Sequence, residues 1–80
     1  MRTYSIIYFA ILREQRGCSE ERVTTKSATP QELYDALRAE HGFTLPGDRI
    51  RAAVNGEFVD AEHHLADGDE IVFIPPVAGG

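Results

Sequence analysis

An α+β fold is predicted for this 80-residue chain: one main helix laid across one face of a mixed sheet of four or five strands. Three observations predict it. Residues 29–42 carry the marks of one well-delimited helix, and no second long helix follows. Asn55-Gly56 lies between two short apolar runs, a strong hairpin signal because both residues tolerate φ > 0. Strand-like runs also open the chain and come near its close.

The elements follow in order. Thr3 to Phe9 alternates, with Tyr4, Ile6 and Tyr8 on a wholly apolar face assigned to the core. The other face starts polar and ends apolar, so Ile7 and Phe9 are expected to stay partly exposed. Ala10 to Arg16 is a short helix closed by Gly17. A strand over Glu21 to Thr25 has Val23 as its strong anchor. The main helix starts at Thr29-Pro30-Gln31-Glu32, a capping box with proline at the first helical position. Its apolar stripe is Leu33, Ala36 and Leu37, extended by Tyr34, and Gly42 stops it. Phe43 to Asp48 reads as a connecting loop. Arg51–Val54 and Glu57–Val59 form the hairpin, Asp60 to Leu65 is irregular, and Ala66-Asp67-Gly68-Asp69 turns the chain into a last strand, Glu70 to Ile74. A βαββαβ chain would need another long helix after the hairpin. A β-grasp arrangement fits the order.

Composition limits the function classes. The chain is 42% hydrophobic and 26% charged, which is ordinary for a globular domain, and one domain is expected. No apolar run approaches a membrane span, so a cytoplasmic protein without membrane association is expected. The net charge of −5 argues against nucleic acid and fits a partner with a basic surface. Cys18 is the single cysteine, which excludes an internal disulfide and a cysteine-rich metal site.

Few residues carry chemistry. His63-His64 are adjacent and would point apart in an extended segment, so they are expected to be solvated rather than metal ligands. Asp67, Asp69 and Glu70 surround Gly68 but lack the spacing of a calcium loop, and a turn is expected. There is no phosphate loop, nucleophile elbow or acid/base pair, so the chain is not read as an enzyme on its own.

The tail is different. Residues 1–74 are assigned to the folded domain and 75–80 to an extended tail. Pro75 and Pro76 lack the N–H a strand needs, so they end the last strand. Beyond them Ala78, Gly79 and Gly80 have almost no side chain to pack. Six extended residues reach about 20 Å, enough to carry the terminal carboxylate down a narrow channel in another protein. With an ordinary α-carboxyl pKa of about 3.3–3.7, that carboxylate is an anion at neutral pH, able to attack the α-phosphate of ATP and form an acyl-adenylate. The catalytic groups would belong to the partner.

The Phe9-Ala10 strand exit followed by Arg13-Glu14, the Ala53-Val54-Asn55 hairpin and Asp67-Gly68-Asp69-Glu70 resemble the small subunit of molybdopterin synthase, in the MoaD/ThiS ubiquitin-like family. The closing Pro75-Pro76-Val77-Ala78-Gly79-Gly80 is the most specific mark, and the resemblance runs over essentially the whole chain. It implies a ubiquitin-like β-grasp fold and a sulfur carrier in molybdenum cofactor biosynthesis. Gly80 would be adenylated by an E1-like, ATP-dependent enzyme, then converted to a thiocarboxylate with sulfur from a donor enzyme. The tail would then enter the large synthase subunit and give its sulfur to cyclic pyranopterin monophosphate, within a heterotetramer. The resemblance makes Gly80 the reactive residue and Gly79, Ala78 and Val77 the access segment. It places Phe9, Phe73, Ile74, Pro75 and Pro76 at the partner contact, with Ile74 standing where an aromatic is usual. It implies no cofactor or metal bound by the chain itself, ATP being used by the activating enzyme. Residues 16–26 and 42–50 show no specific match.

Three rivals remain at this level. A sulfur carrier for the thiamine thiazole would share the tail chemistry, though such carriers are usually shorter and lack the Pro-Pro. A ubiquitin-like modifier would start from the same acyl-adenylate. A β-grasp binding module would not need its tail at all.

Overall fold

A computed structural model describes residues 1–76 of the chain. The elements are β1 (Arg2–Tyr8), α1 (Ile11–Arg16), β2 (Glu20–Thr25), α2 (Pro30–His41), a 3-10 turn (Gly47–Arg49), β3 (Arg51–Val54), β4 (Glu57–Val59) and β5 (Glu70–Ile74). The strands form one five-stranded sheet in the order β2-β1-β5-β3-β4. β1 and β5 pair in parallel, with Tyr8 beside Phe73, and the other pairings are antiparallel. The first and last strands are therefore central neighbours, and α2 covers one face of the sheet.

Local chemistry accounts for the main helix. The Thr29 hydroxyl accepts from the Glu32 N–H at 3.2 Å, and the Glu32 carboxylate accepts from the Ala28 N–H at 2.8 Å. Two donors at the helix start are thereby satisfied. Gly42 ends the helix at φ 74, a left-handed conformation in which its N–H reaches the Arg38 carbonyl at 2.8 Å. The buried face is Pro30, Leu33, Tyr34 and Leu37. Ala36, expected on that stripe, is exposed. At 100° per residue it lies well over a quarter turn from the stripe's centre, and Tyr34 fills the position instead. The segment expected as plain loop after the helix holds the 3-10 turn, and its Phe43 is buried.

The core joins Tyr4, Ile6 and Tyr8 of β1 to Leu33, Tyr34 and Leu37 of α2 and to Ile71 and Phe73 of β5. Phe43 ties the layers together, stacking on Tyr34 at 5.8 Å between centroids and meeting Tyr8 edge-on at 5.7 Å. The three core tyrosines keep their hydroxyls at its rim. Tyr4 donates to the Ser27 carbonyl and Tyr34 to the Leu45 carbonyl, each at 2.7 Å, and Tyr8 donates to Glu21 at 2.6 Å. Among the described residues no buried side-chain polar atom lacks a partner, as a small core requires.

Candidate functional site at the end of the last strand

The place where the chain leaves the sheet is fixed by a knot at the opposite end. The Thr3 N–H donates to the Asp67 carboxylate at 2.7 Å, and the Gly68 N–H to the Thr3 carbonyl at 2.8 Å. Asp69 accepts from the Ala66 N–H at 2.8 Å and from the Asn55 side-chain amide at 3.0 Å, while the Asn55 oxygen accepts from the Glu70 N–H at 3.0 Å. The acidic cluster is thus a turn that locks β5 to β1 and to the β3–β4 hairpin. This sets the register of β5 and, through it, the level at which Ile74 and the prolines leave the sheet.

β5 ends at Ile74, as its two following prolines dictate. Pro75 is buried and Pro76 exposed, so the packed domain extends one residue past the boundary expected at 74. Val77, Ala78, Gly79 and Gly80 lie outside the described residues. Parallel pairing sets Phe9 level with Ile74, because Tyr8 stands beside Phe73. Phe9 is 47% exposed and Ile11, two residues on, is 38% exposed. Between them Ala10 holds φ 52 and ψ −124, and the Leu12 N–H closes the turn on the Phe9 carbonyl at 3.1 Å. This is the first central position of a type II′ turn, a place that glycine usually fills. A side-chain-bearing residue is held there in a strained backbone beside the exit.

The turn is anchored from below by a carboxylate. Arg16 at the end of α1 grips Glu21 of β2 through two nitrogens at 2.8 Å each. Tyr8 donates to the same carboxylate, and the His41 ring stands 3.9 Å away. The Arg16 hydrogen bonds hold the Glu21 carboxyl below the usual carboxylate range, with the Tyr8 hydroxyl acting in the same direction. Burial, with Glu21 alongside, pushes the Tyr8 phenol well above its ordinary value. The phenol therefore stays protonated and remains a donor.

The outer face of the sheet, opposite α2, is apolar in its middle. Register sets Ile7 beside Val72, Val72 beside Ala53 and Ala53 beside Phe58, one row across β1, β5, β3 and β4. Phe58 is 59% exposed, with the Arg51 guanidinium 4.4 Å over its ring. Phe73, which the resemblance places at the partner contact, does not lie on this surface. It is 1% exposed on the helix face, packed edge-on against Tyr34 at 5.4 Å. The reason is parity: Phe73 pairs with Tyr8 and Ala52, both core residues, so Val72 and Ile74 are the outward members of β5. Sequence reasoning overlooked Phe58. Alternation against inward Val59 was the available signal. His63 and His64 are both exposed, and among the described residues no three His, Cys, Asp or Glu side chains group as they would around a metal.

The family model described as the ThiS family matches residues 6–80. The chain belongs to the ThiS family. Among curated relatives, the molybdopterin synthase sulfur carrier subunit of Escherichia coli is 35% identical over 78 residues, covering 94% of this chain and 96% of that one. The crystal structure of the small archaeal modifier protein 1 of Haloferax volcanii superposes with a TM-score of 0.79 at 31% identity, covering 96% of this chain and all of that one (100%). A putative molybdopterin converting factor subunit 1 from Pyrococcus furiosus gives a TM-score of 0.79 at 28% identity, over 96% and 100% of the two chains. The five-stranded sheet with its main helix is therefore the ubiquitin-like β-grasp of this family, as the element order predicted. Among the described residues no helix is long and apolar enough to cross a membrane.

Proposed function

We propose that this chain is the sulfur carrier subunit of a molybdopterin synthase, acting in the cytoplasm and inert as an enzyme by itself. The observation that carries the reading is a β-grasp domain that matches such carriers over nearly its whole length and ends in Gly79-Gly80. In this reading an E1-like partner joins the Gly80 carboxylate to AMP at the expense of ATP. Sulfur delivered at the sulfide level by a donor enzyme displaces AMP and leaves a thiocarboxylate. The single methyl of Ala78 and the bare backbone of Gly79 let the tail enter the large subunit, where the thiocarboxylate sulfur passes to cyclic pyranopterin monophosphate. The domain binds no cofactor or metal of its own. Its part is to hold Ile74, Pro75 and Pro76 in one place, with the outer apolar row and Phe9 as the surface that meets the large subunit.

The similarity to a small archaeal modifier protein supports a second reading, in which the same activated Gly80 is joined to amines of other proteins. Mass spectrometry of the chain purified from its native cell separates the two. A carrier shows one oxygen replaced by sulfur at the C-terminus, and a modifier shows Gly80 in amide linkage to lysines. Deleting Gly80, or adding one residue after it, should abolish molybdopterin formation in a reconstituted synthase and leave the domain folded. Full activity in either variant would overturn the carrier reading.

A further inference from the structure

An activated C-terminus is a hazard to the chain that carries it. An acyl-adenylate is open to attack by any deprotonated amine: the nitrogen bonds to the Gly80 carbonyl carbon, the bond to AMP breaks, and AMP and a proton leave. Lysine can do this. Arginine keeps its proton in proteins and cannot. The chain has seven arginines and one lysine, Lys26. The cations around the end of β5 are arginines: Arg51 lies opposite Ile74, Arg49 stands two residues before it in the exposed 3-10 turn, and Arg13 follows Phe9 on α1.

Lys26 sits at the other end. Thr25 pairs with Arg2, so Lys26 is level with Met1, whereas Ile74 is level with Phe9. Eight strand steps separate those levels, about 26 Å, and two strand spacings add about 10 Å sideways, giving a gap of about 28 Å. Pro75 is buried, so the tail swings from beyond Ile74: the five residues after Pro75 reach at most about 18 Å, the Gly80 carbonyl and the new amide bond add about 3 Å, and a lysine side chain about 6 Å. That bound already falls short, and it spends nothing on reversing direction.

We infer that the exit end of the fold is kept free of side-chain amines so that the activated tail survives for its acceptor. Lys26, beyond the reach of its own tail, is then the single side chain on which a second copy's Gly80 can be joined. The inference rests on Gly80 being the activated residue, as proposed above, but its test needs no partner enzyme.

The full chain is prepared with a C-terminal alkyl thioester as the activated acyl group, in a Cys18→Ser background that removes the competing thiol, and its products are weighed and mapped by mass spectrometry. The parent chain should hydrolyse, with any side-chain-linked copies joined at Lys26 and absent from Lys26→Arg. Arg49→Lys puts an amine at the exit on an exposed position, and should raise internally joined monomer, lighter than the hydrolysed chain by one water, by about tenfold or more through its high effective concentration. Internally joined parent chain linked at Lys26, side-chain-linked copies persisting in Lys26→Arg, or no gain in Arg49→Lys would each overturn the inference. Because the thioester is installed chemically, none of these outcomes bears on whether a partner adenylates Gly80.

Discussion

Ala10→Gly should stabilise the domain. Ala10 occupies the first central position of a II′ turn at φ 52, ψ −124. An L-residue with a Cβ pays about 1–2 kcal/mol in left-handed backbone conformations, and glycine pays nothing. Against this, glycine adds freedom to the unfolded chain worth about 0.4–1 kcal/mol. Nothing else offsets the gain: Ala10 is exposed, so its methyl contributes no burial, and as the residue preceding α1 it makes no side-chain cap. Glycine is also the better residue at such a cap. The net is a stabilisation of about 0.5–1 kcal/mol, and for a domain of this size each kcal/mol moves Tm by about 4–8 °C. Urea unfolding followed by circular dichroism measures it, with a higher midpoint and an unchanged slope expected. Ala10→Val should move the midpoint down, since a branched side chain fits this conformation worse. If Ala10→Gly unfolds at or below the parent midpoint, the backbone at this turn is not strained and the reasoning fails.

Phe58→Ala should leave the fold within about 0.5 kcal/mol of the parent and weaken large-subunit binding by about 2 kcal/mol, read by titration calorimetry. Phe73→Ala should cost about 3–5 kcal/mol of stability, because it empties a buried site beside Tyr34. A folded Phe58→Ala that binds as tightly as the parent would misplace the docking surface. Glu21→Gln should lower stability at neutral pH. Because the Glu21 pKa lies below its unfolded value, its contribution is complete above the ordinary carboxylate range and vanishes as pH falls through the folded pKa. The gap between parent and variant should therefore close in acid, and a gap that does not change between pH 7 and pH 3 would refute this. Asp69→Ala should cost about 1–3 kcal/mol by removing the acceptor for Ala66 and Asn55, with protection of the β5 amides in hydrogen exchange falling first.

Much of the fold was legible because local chemistry and tertiary packing agree. Thr29-Pro30-Gln31-Glu32, Gly42 and Asn55-Gly56 each act within a few residues, and each lies where expected. The alternation of Tyr4, Ile6 and Tyr8 named the core face for the same reason. The inward side of Phe73 is not legible locally, because Ile71, Val72, Phe73 and Ile74 are all apolar, so β5 has no alternation to read. Its inward side is settled by pairing with Tyr8, which stands 65 positions earlier. Phe58 alternates with Val59, but which of the two faces inward is settled by the pairing of Val59 with Ala52. The strain at Ala10 was invisible because alanine carries no turn signal, and the Glu21 hub joins residues from three elements that spacing does not connect. As for the candidate site, the sequence placed the end of the last strand and the exposure of Phe9, while the outer apolar row needed the sheet.

The central place of β5 has a consequence for how the protein is made. During synthesis β1 and β2 emerge early, and β3 and β4 later, but the two pairs have no direct hydrogen-bonded seam with each other. The strand that joins them is the last one translated. Until it arrives, the apolar face of α2 has only half a sheet to cover, and the pairing of β1 with β5 must close a loop of more than sixty residues. A ribosome that stalls before residue 70 therefore leaves a chain with neither a finished core nor a tail, exposed to proteolysis. Completion of the fold therefore waits for β5, and a partner that recognises the finished sheet would not engage a chain cut short before that strand.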